Sequence, residues 1–271
     1  MPLPSSINDL SQTASANSPA GSESPGLIDD YLRTYASYIA ILRDKPGRLI
    51  GAPKTFFTAG AATYTPSAGM TLAVIFATSG GGGGGGTVAT VAAQGAIGAG
   101  GASGGFWNGY LTSAQVGASL ALTIGAPGGA SAGGAGTAGG TTSIGAFVSI
   151  PGGSGGSAGG AVSSSSTAVN NGGAPGAAPS VAGAVTITQA SGIPGGVGVA
   201  TQNGSVSGYG AGSPITNGAG GGRGVGPTNA GLPGTSPGSG GSGACAGASS
   251  AALAGGGGNA GMVIIYEFGN P

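Results

Sequence analysis

Beyond Lys54 this chain offers chemistry only two charged side chains, Arg223 and Glu267, and one thiol, Cys245. None of its 271 residues is histidine. Ser–His–Asp and Cys–His centres therefore lack their base, and the commonest metal ligand is missing. A paired-carboxylate centre needs two acids, and Glu267 stands alone in the last apolar run. One thiol allows neither an intrachain disulfide nor a multi-cysteine cluster. The pattern G-x-G-x-x-G is met trivially inside Gly80–Gly86, without the helix and downstream acid of a dinucleotide site. No Gly-Lys-Ser/Thr occurs, and Arg223 in Gly221-Gly222-Arg223-Gly224 is a single cation, too few to track phosphates. The residues predict no catalytic group, no metal, no cofactor and no nucleic-acid partner. The expectation is a protein that is not an enzyme.

Binding is the chemistry left. Phe106-Trp107-Asn108-Gly109-Tyr110 is the densest group of bulky side chains in the body, and Tyr209 is an isolated ring in a glycine-rich stretch. With the amides of Gln202 and Asn203, these residues (Phe106, Trp107, Asn108, Tyr110, Tyr209) are the candidate contact set for a neutral sugar or protein surface. The competing reading makes Phe106, Trp107 and Tyr110 core anchors, since a lone tryptophan is valuable packing in a protein with few large side chains. Asn170-Asn171 and Asn217 are weaker candidates that turns would equally use.

The elements that must position these residues divide near residue 54. All but two of the charges lie between Asp9 and Lys54, and all but four of the 67 glycines lie beyond it. An ordinary domain is about a quarter charged and ~7% glycine. Residues 1–54 form a head. Its first 26 residues are rich in Ser, Pro and Asn and read as an arm, followed by a helix over about residues 25–45. Ser24 and Pro25 suit its start, and Pro46-Gly47 stops it. Ile28, Leu32, Tyr35, Ile39 and Leu42 recur at alternating spacings of four and three, an a/d seam. That seam predicts self-association, most simply as a homotrimer, with docking on a partner protein as the alternative. The first twenty residues show no secretory signal. The most apolar run, Met70–Thr78, is too short to span a bilayer, so no membrane insertion is expected.

Residues 55–271 form the body. Alternating apolar residues predict strands at Leu72/Val74/Phe76, across Gln115–Ile124, at Ile144/Ala146/Val148/Ile150 and at Met262/Ile264/Tyr266/Phe268, with Val185–Thr188 weaker. Phe56-Phe57 and Tyr64 fall in an opening strand. Between them lie inserts of Gly, Ala, Ser, Thr and Pro: Gly80–Gly86, Gly125–Gly140, Pro151–Gly160, Gly208–Gly226 and Gly234–Gly258. Such inserts are either disordered or packed as polyproline II helices, which rise ~3.1 Å per residue with three residues per turn. Because strands recur between them, we expect an ordered bundle. The fold class is mainly β with polyglycine/polyproline II-type glycine-rich regions and a short helical head.

The order of these pieces resembles the glycine-rich domains of bacteriophage tail-fibre and adhesin proteins. The carrying residues are Tyr64-Thr65-Pro66-Ser67-Ala68-Gly69, then Met70–Thr78 running into Gly80–Gly86. Gln115–Ile124 enters Gly125-Ala126-Pro127-Gly128-Gly129, and Thr141-Thr142-Ser143-Ile144-Gly145 leads to Pro151-Gly152-Gly153. The chain closes on Gly255–Gly258, Asn259-Ala260-Gly261 and Met262–Phe268. The likeness covers residues 55–271, and the chain departs from it in an interior rich in alanine and serine. It implies a receptor-binding domain in the virion tail, made in the host cytoplasm. Its partners would be a bacterial surface glycan or protein (a pilus or an outer-membrane protein) and, through residues 1–54, other tail or baseplate proteins. The rival expectation is a structural fibre or collar component without receptor contact.

Overall fold

We describe the fold from a computed structural model, which covers Thr13 and residues 26–43, 47–201, 204–215, 220–222 and 228–269. In chain order it contains helix α1 (Gly26–Arg43) and strands β1 (Arg48–Leu49), β2 (Lys54–Phe56), β3 (Gly60–Tyr64), β4 (Met70–Thr78), β5 (Gln94–Ile97) and β6 (Phe106–Thr112). A one-turn helix α2 (Ser113–Val116) precedes β7 (Leu120–Ile124), β8 (Thr142–Ile144), β9 (Val148–Ile150), β10 (Val162–Ser163), β11 (Ala168–Asn170) and β12 (Ser180–Val181). Then come β13 (Val185–Ala190), β14 (Gly198–Thr201), β15 (Gly204–Val206), β16 (Thr228–Asn229), β17 (Cys245–Ala246) and β18 (Met262–Gly269). The protein is mainly β, with several antiparallel sheets.

The chain divides into two compact units. One comprises Met1–Ala52, Ser67–Leu72 and Glu267–Pro271; the other comprises Pro53–Pro66 and Ala73–Tyr266. In the first unit, β1 pairs with the end of β18, Leu49 opposite Phe268, and Ile50 N–H donates to the Glu267 carbonyl at 2.7 Å. The Glu267 carboxylate is buried and accepts the Ser67 N–H at 3.0 Å. This acid is therefore a fastener for the turn before β4. Helix α1 is amphipathic in an unexpected sense. Its buried residues are small, Ser37 and Ala40, while Leu32, Tyr35, Tyr38, Ile39 and Ile41 are exposed. The predicted seam thus faces outward at Leu32, Tyr35 and Ile39; the side chains of Ile28 and Leu42 lie outside the described residues.

Two larger sheets hold the side-chain core. One runs β1–β18–β4–β6–β13, with β2 also on β18; the other runs β12–β9–β8–β7–β3. In β4 the buried set is Ala73, Ile75 and Ala77, and in β18 it is Val263, Ile265 and Glu267. The bulkier alternating set of each strand, Leu72/Val74/Phe76 and Ile264/Tyr266/Phe268, is only half-buried. From the second sheet Tyr64, Leu120, Leu122, Ile124, Ile144, Val148 and Ile150 are buried. Thr142 ties the two together by donating its hydroxyl to the Thr78 carbonyl at 2.9 Å.

Two predicted strands are corrected. The run Gln115–Ile124 is interrupted: residues 113–116 form α2, Gly117 takes φ +64°, and the strand starts at Leu120. Gln115 makes the interruption, accepting the Thr112 N–H at 2.8 Å and donating to the Gly183 carbonyl at 2.7 Å. The run Ile144–Ile150 is a hairpin rather than one strand, because Gly145 turns at φ +50° and Ile144 pairs with Val148.

The glycine-rich inserts pack against one another through the backbone. Gly80, Gly83 and Gly86 donate to the carbonyls of Gly140, Thr137 and Gly134. Gly81, Gly84 and Thr87 donate to Asn259, Gly256 and Leu253, and Gly82 and Gly85 to Ala102 and Ala99. Partner numbers fall as donor numbers rise, so these three neighbours run antiparallel. The carbonyls of the same segment accept from three more. Gly153, Gly156 and Gly159 reach Gly80, Gly83 and Gly86; Gly241 and Ala244 reach Gly82 and Gly85; Gly128 reaches Gly81. A helix of three residues per turn directs its donors and acceptors this way, and a central rod with six neighbours is the array called polyglycine II. Residues 98–105 have a second full shell, donating to 238–244, 151–157 and 193–196 and accepting from 79–85, 173–176 and 208–211.

Such close approach leaves no room for Cβ. One built on Gly82, Gly83 or Gly84 would fall inside the carbonyl of Ser154, Gly129 or Ser242. Where a small side chain does fit, it is used: Ala99, Ala102 and Ala244 are fully buried. Hydroxyls complete the bonding, as when Ser103 Oγ accepts the Ile193 N–H at 2.7 Å and Ser242 Oγ the Leu232 N–H at 2.8 Å. The core of this region is paired backbone, which satisfies groups that could not otherwise be buried.

Candidate functional site

This lattice has two ends. At one, β4, β7 and β9 run into it and β6, β8 and β18 leave it, so that end is continuous with the two large sheets. At the other, the rods turn over through short loops and two small sheets, β10–β5–β17–β16 and β11–β14–β15. We call this second end the tip.

The tip is pinned by a small apolar cluster, Ile97, Ala200 and Cys245, with Val162 and Ala168 against it. Burial pushes the Cys245 thiol above its ordinary pKa, which keeps it protonated and unreactive. Asn170 Nδ2 donates to the Ile97 carbonyl, clasping β11 to β5. With Ala168 and Ala200 directed inward, the alternation of the strands turns the next residue out. Val169 lies opposite Val199, and Val199 opposite Val206, so three valines form one row across the sheet.

The neighbouring loops are tied with equal care. Thr90 N–H donates to the Ser250 carbonyl at 2.9 Å, and Thr90 Oγ1 accepts the Ser250 N–H at 3.0 Å while donating to the Gly247 carbonyl. Val91 N–H donates to Gln94 Oε1 at 3.1 Å. The Val91 carbonyl accepts from both Gln94 and Ser249, each at 3.2 Å. Its side chain is 64% exposed, more than any other large hydrophobic among the described residues.

The contact residues expected from the sequence lie elsewhere. Phe106, Trp107, Asn108 and Tyr110 are all on β6, in a large sheet. Trp107 is fully buried and donates its indole N–H to Thr186 Oγ1 at 3.0 Å; Asn108 is 4% exposed. Neither can reach a partner, and packing wins over binding at both positions. Phe106 and Tyr110 are half-buried. Tyr209 is exposed on the flank of the lattice, its ring lying over Gly196 where a Cβ would collide with it. Gln202 and Asn203 fall between β14 and β15, outside the described residues. Sequence reasoning missed Val91, Val169 and the loop at 247–250. The only signal for them was their position between glycine runs.

Among the described residues no group of three or more Cys, Asp and Glu could hold a metal ion, and no helix is long and apolar enough to cross a membrane. No protein-family model matches this chain, and no curated protein matches it.

Proposed function

We propose that this protein is a non-enzymatic bacteriophage tail-fibre or tail-tip adhesin that attaches to the bacterial host surface through the tip. One observation carries the reading: a rod array cemented by backbone bonds ends in short, tied loops with exposed apolar side chains. An array of that kind makes a stiff pedestal, and stiff scaffolds with variable loops are how binding surfaces are generally built. The outward face of α1 supports an attachment or oligomerisation role for the head, with tail proteins as its partners and the virion tail as its location.

The test is adsorption of the labelled full-length chain to intact bacteria of the producing strain and its relatives. Strain-selective binding that blocks phage adsorption is the expected result. A folded chain in its native oligomeric state that binds no strain would make it a structural virion component instead.

A further inference from the structure

Most left-handed backbone positions in the described chain, from Gly47 to Gly238, are occupied by glycine. Two are not: Ala93 at φ +60° and Ser249 at φ +54°. Both lie in the tip, and both lie against the same residue. Ala93 is two positions after Val91, and Ser249 donates its N–H to the Val91 carbonyl. In a chain this rich in glycine, a side chain kept where glycine would be relaxed restricts the backbone to fewer conformations. Such strain persists where surrounding structure holds it, and it gathers at ligand-contact sites. Here the holding bonds are on the page: Gln94 on both sides of Val91, Ser249 on its carbonyl, and Ser164 N–H on the Ala93 carbonyl at 2.8 Å.

Resting on the adhesin reading above, we propose that Val91 is a pre-organised anchor that inserts into an apolar pocket of a protein on the host surface. A small rigid apolar knob ringed by uncharged polar groups has the make-up of an interface hot spot and its rim. The ring consists of Thr90, Gln94, Ser249 and Ser250, none of them aromatic or charged. It offers no ring face for a sugar to stack on and no charge for an acidic glycan. The partner is therefore a polypeptide surface.

The experiment compares adsorption of full-length wild type, Val91→Asp, the double variant Ala93→Gly/Ser249→Gly and a control, Val185→Asp on exposed β13. Melting temperature is measured for each. Val91→Asp is expected to melt with wild type and to lose adsorption by about tenfold or more. The glycine pair is expected to keep its fold and lose adsorption several-fold through the loosened loop, and the control to adsorb normally. Shaving the cells with proteinase K should abolish binding, whereas periodate oxidation of surface sugars should spare it. Wild-type adsorption by Val91→Asp would overturn the anchor while leaving the adhesin reading intact. Loss on periodate alone would overturn the polypeptide partner. Wild type that adsorbs to nothing would remove both readings together.

Discussion

Glycine is the core residue of the lattice, in the sense that leucine is the core residue of an ordinary domain. The two fail differently on substitution. Truncating a leucine leaves a cavity, whereas adding one methyl to Gly84 drives it into the Ser242 carbonyl, a backbone atom that cannot swing aside. Gly84→Ala is expected to cost about 3 kcal/mol, the upper range for overpacking. Gly160→Ala, whose Cβ would meet nothing within 4 Å, should be neutral or stabilise by about 0.5 kcal/mol through the unfolded chain. Urea midpoints of the two variants check the contrast, and equal effects would mean the array does not confine its glycines. At this scale the sequence was a poor guide to the site. Trp107 and Asn108 were singled out for bulk and polarity, yet bulk is what the large sheets needed to bury. Val91 and Val169 are ordinary residues made prominent only by where the rods end.

Elements were more legible, and for a physical reason. Strict alternation marks a strand face, so β4, β7, β13 and β18 stand where apolar residues alternate. The pattern could not say which face is inward. In β4 and β18 the smaller residues point in, a choice settled by the width of the core rather than by hydrophobicity. Alternation also ran across Gly117 and Gly145, where the backbone turns and ends the pairing. Helix α1 (Gly26–Arg43) was placed well because its cap and stop signals are local. Its outward face has a consequence for assembly. Leu32→Asp with Ile39→Asp is expected to leave far-UV circular dichroism unchanged while converting the full-length protein from the expected trimer to monomer in sedimentation velocity. A wild-type chain that sediments as a monomer would instead assign that face to another tail protein.

As a whole, the molecule buries an unusual kind of surface. Unfolding an ordinary domain raises the heat capacity by about 12–15 cal/mol/K per residue, because exposed apolar area raises it and exposed polar area lowers it. Here much of the interior is peptide groups, so calorimetry should find a value clearly below that range and a correspondingly flatter stability curve. A value inside the range would mean that the side-chain core between the two large sheets dominates folding. The three-residue repeat has a further consequence, for descent. Carbonyls and amides recognise one another across the lattice, and they are the same in every residue except proline. Alanine, serine and threonine can replace one another at the looser points of the array, and whole rods can drift in sequence, without altering the architecture. Kinship among such proteins is written in the phase of their glycines, and ancestry can outlast any resemblance that residue identity would reveal.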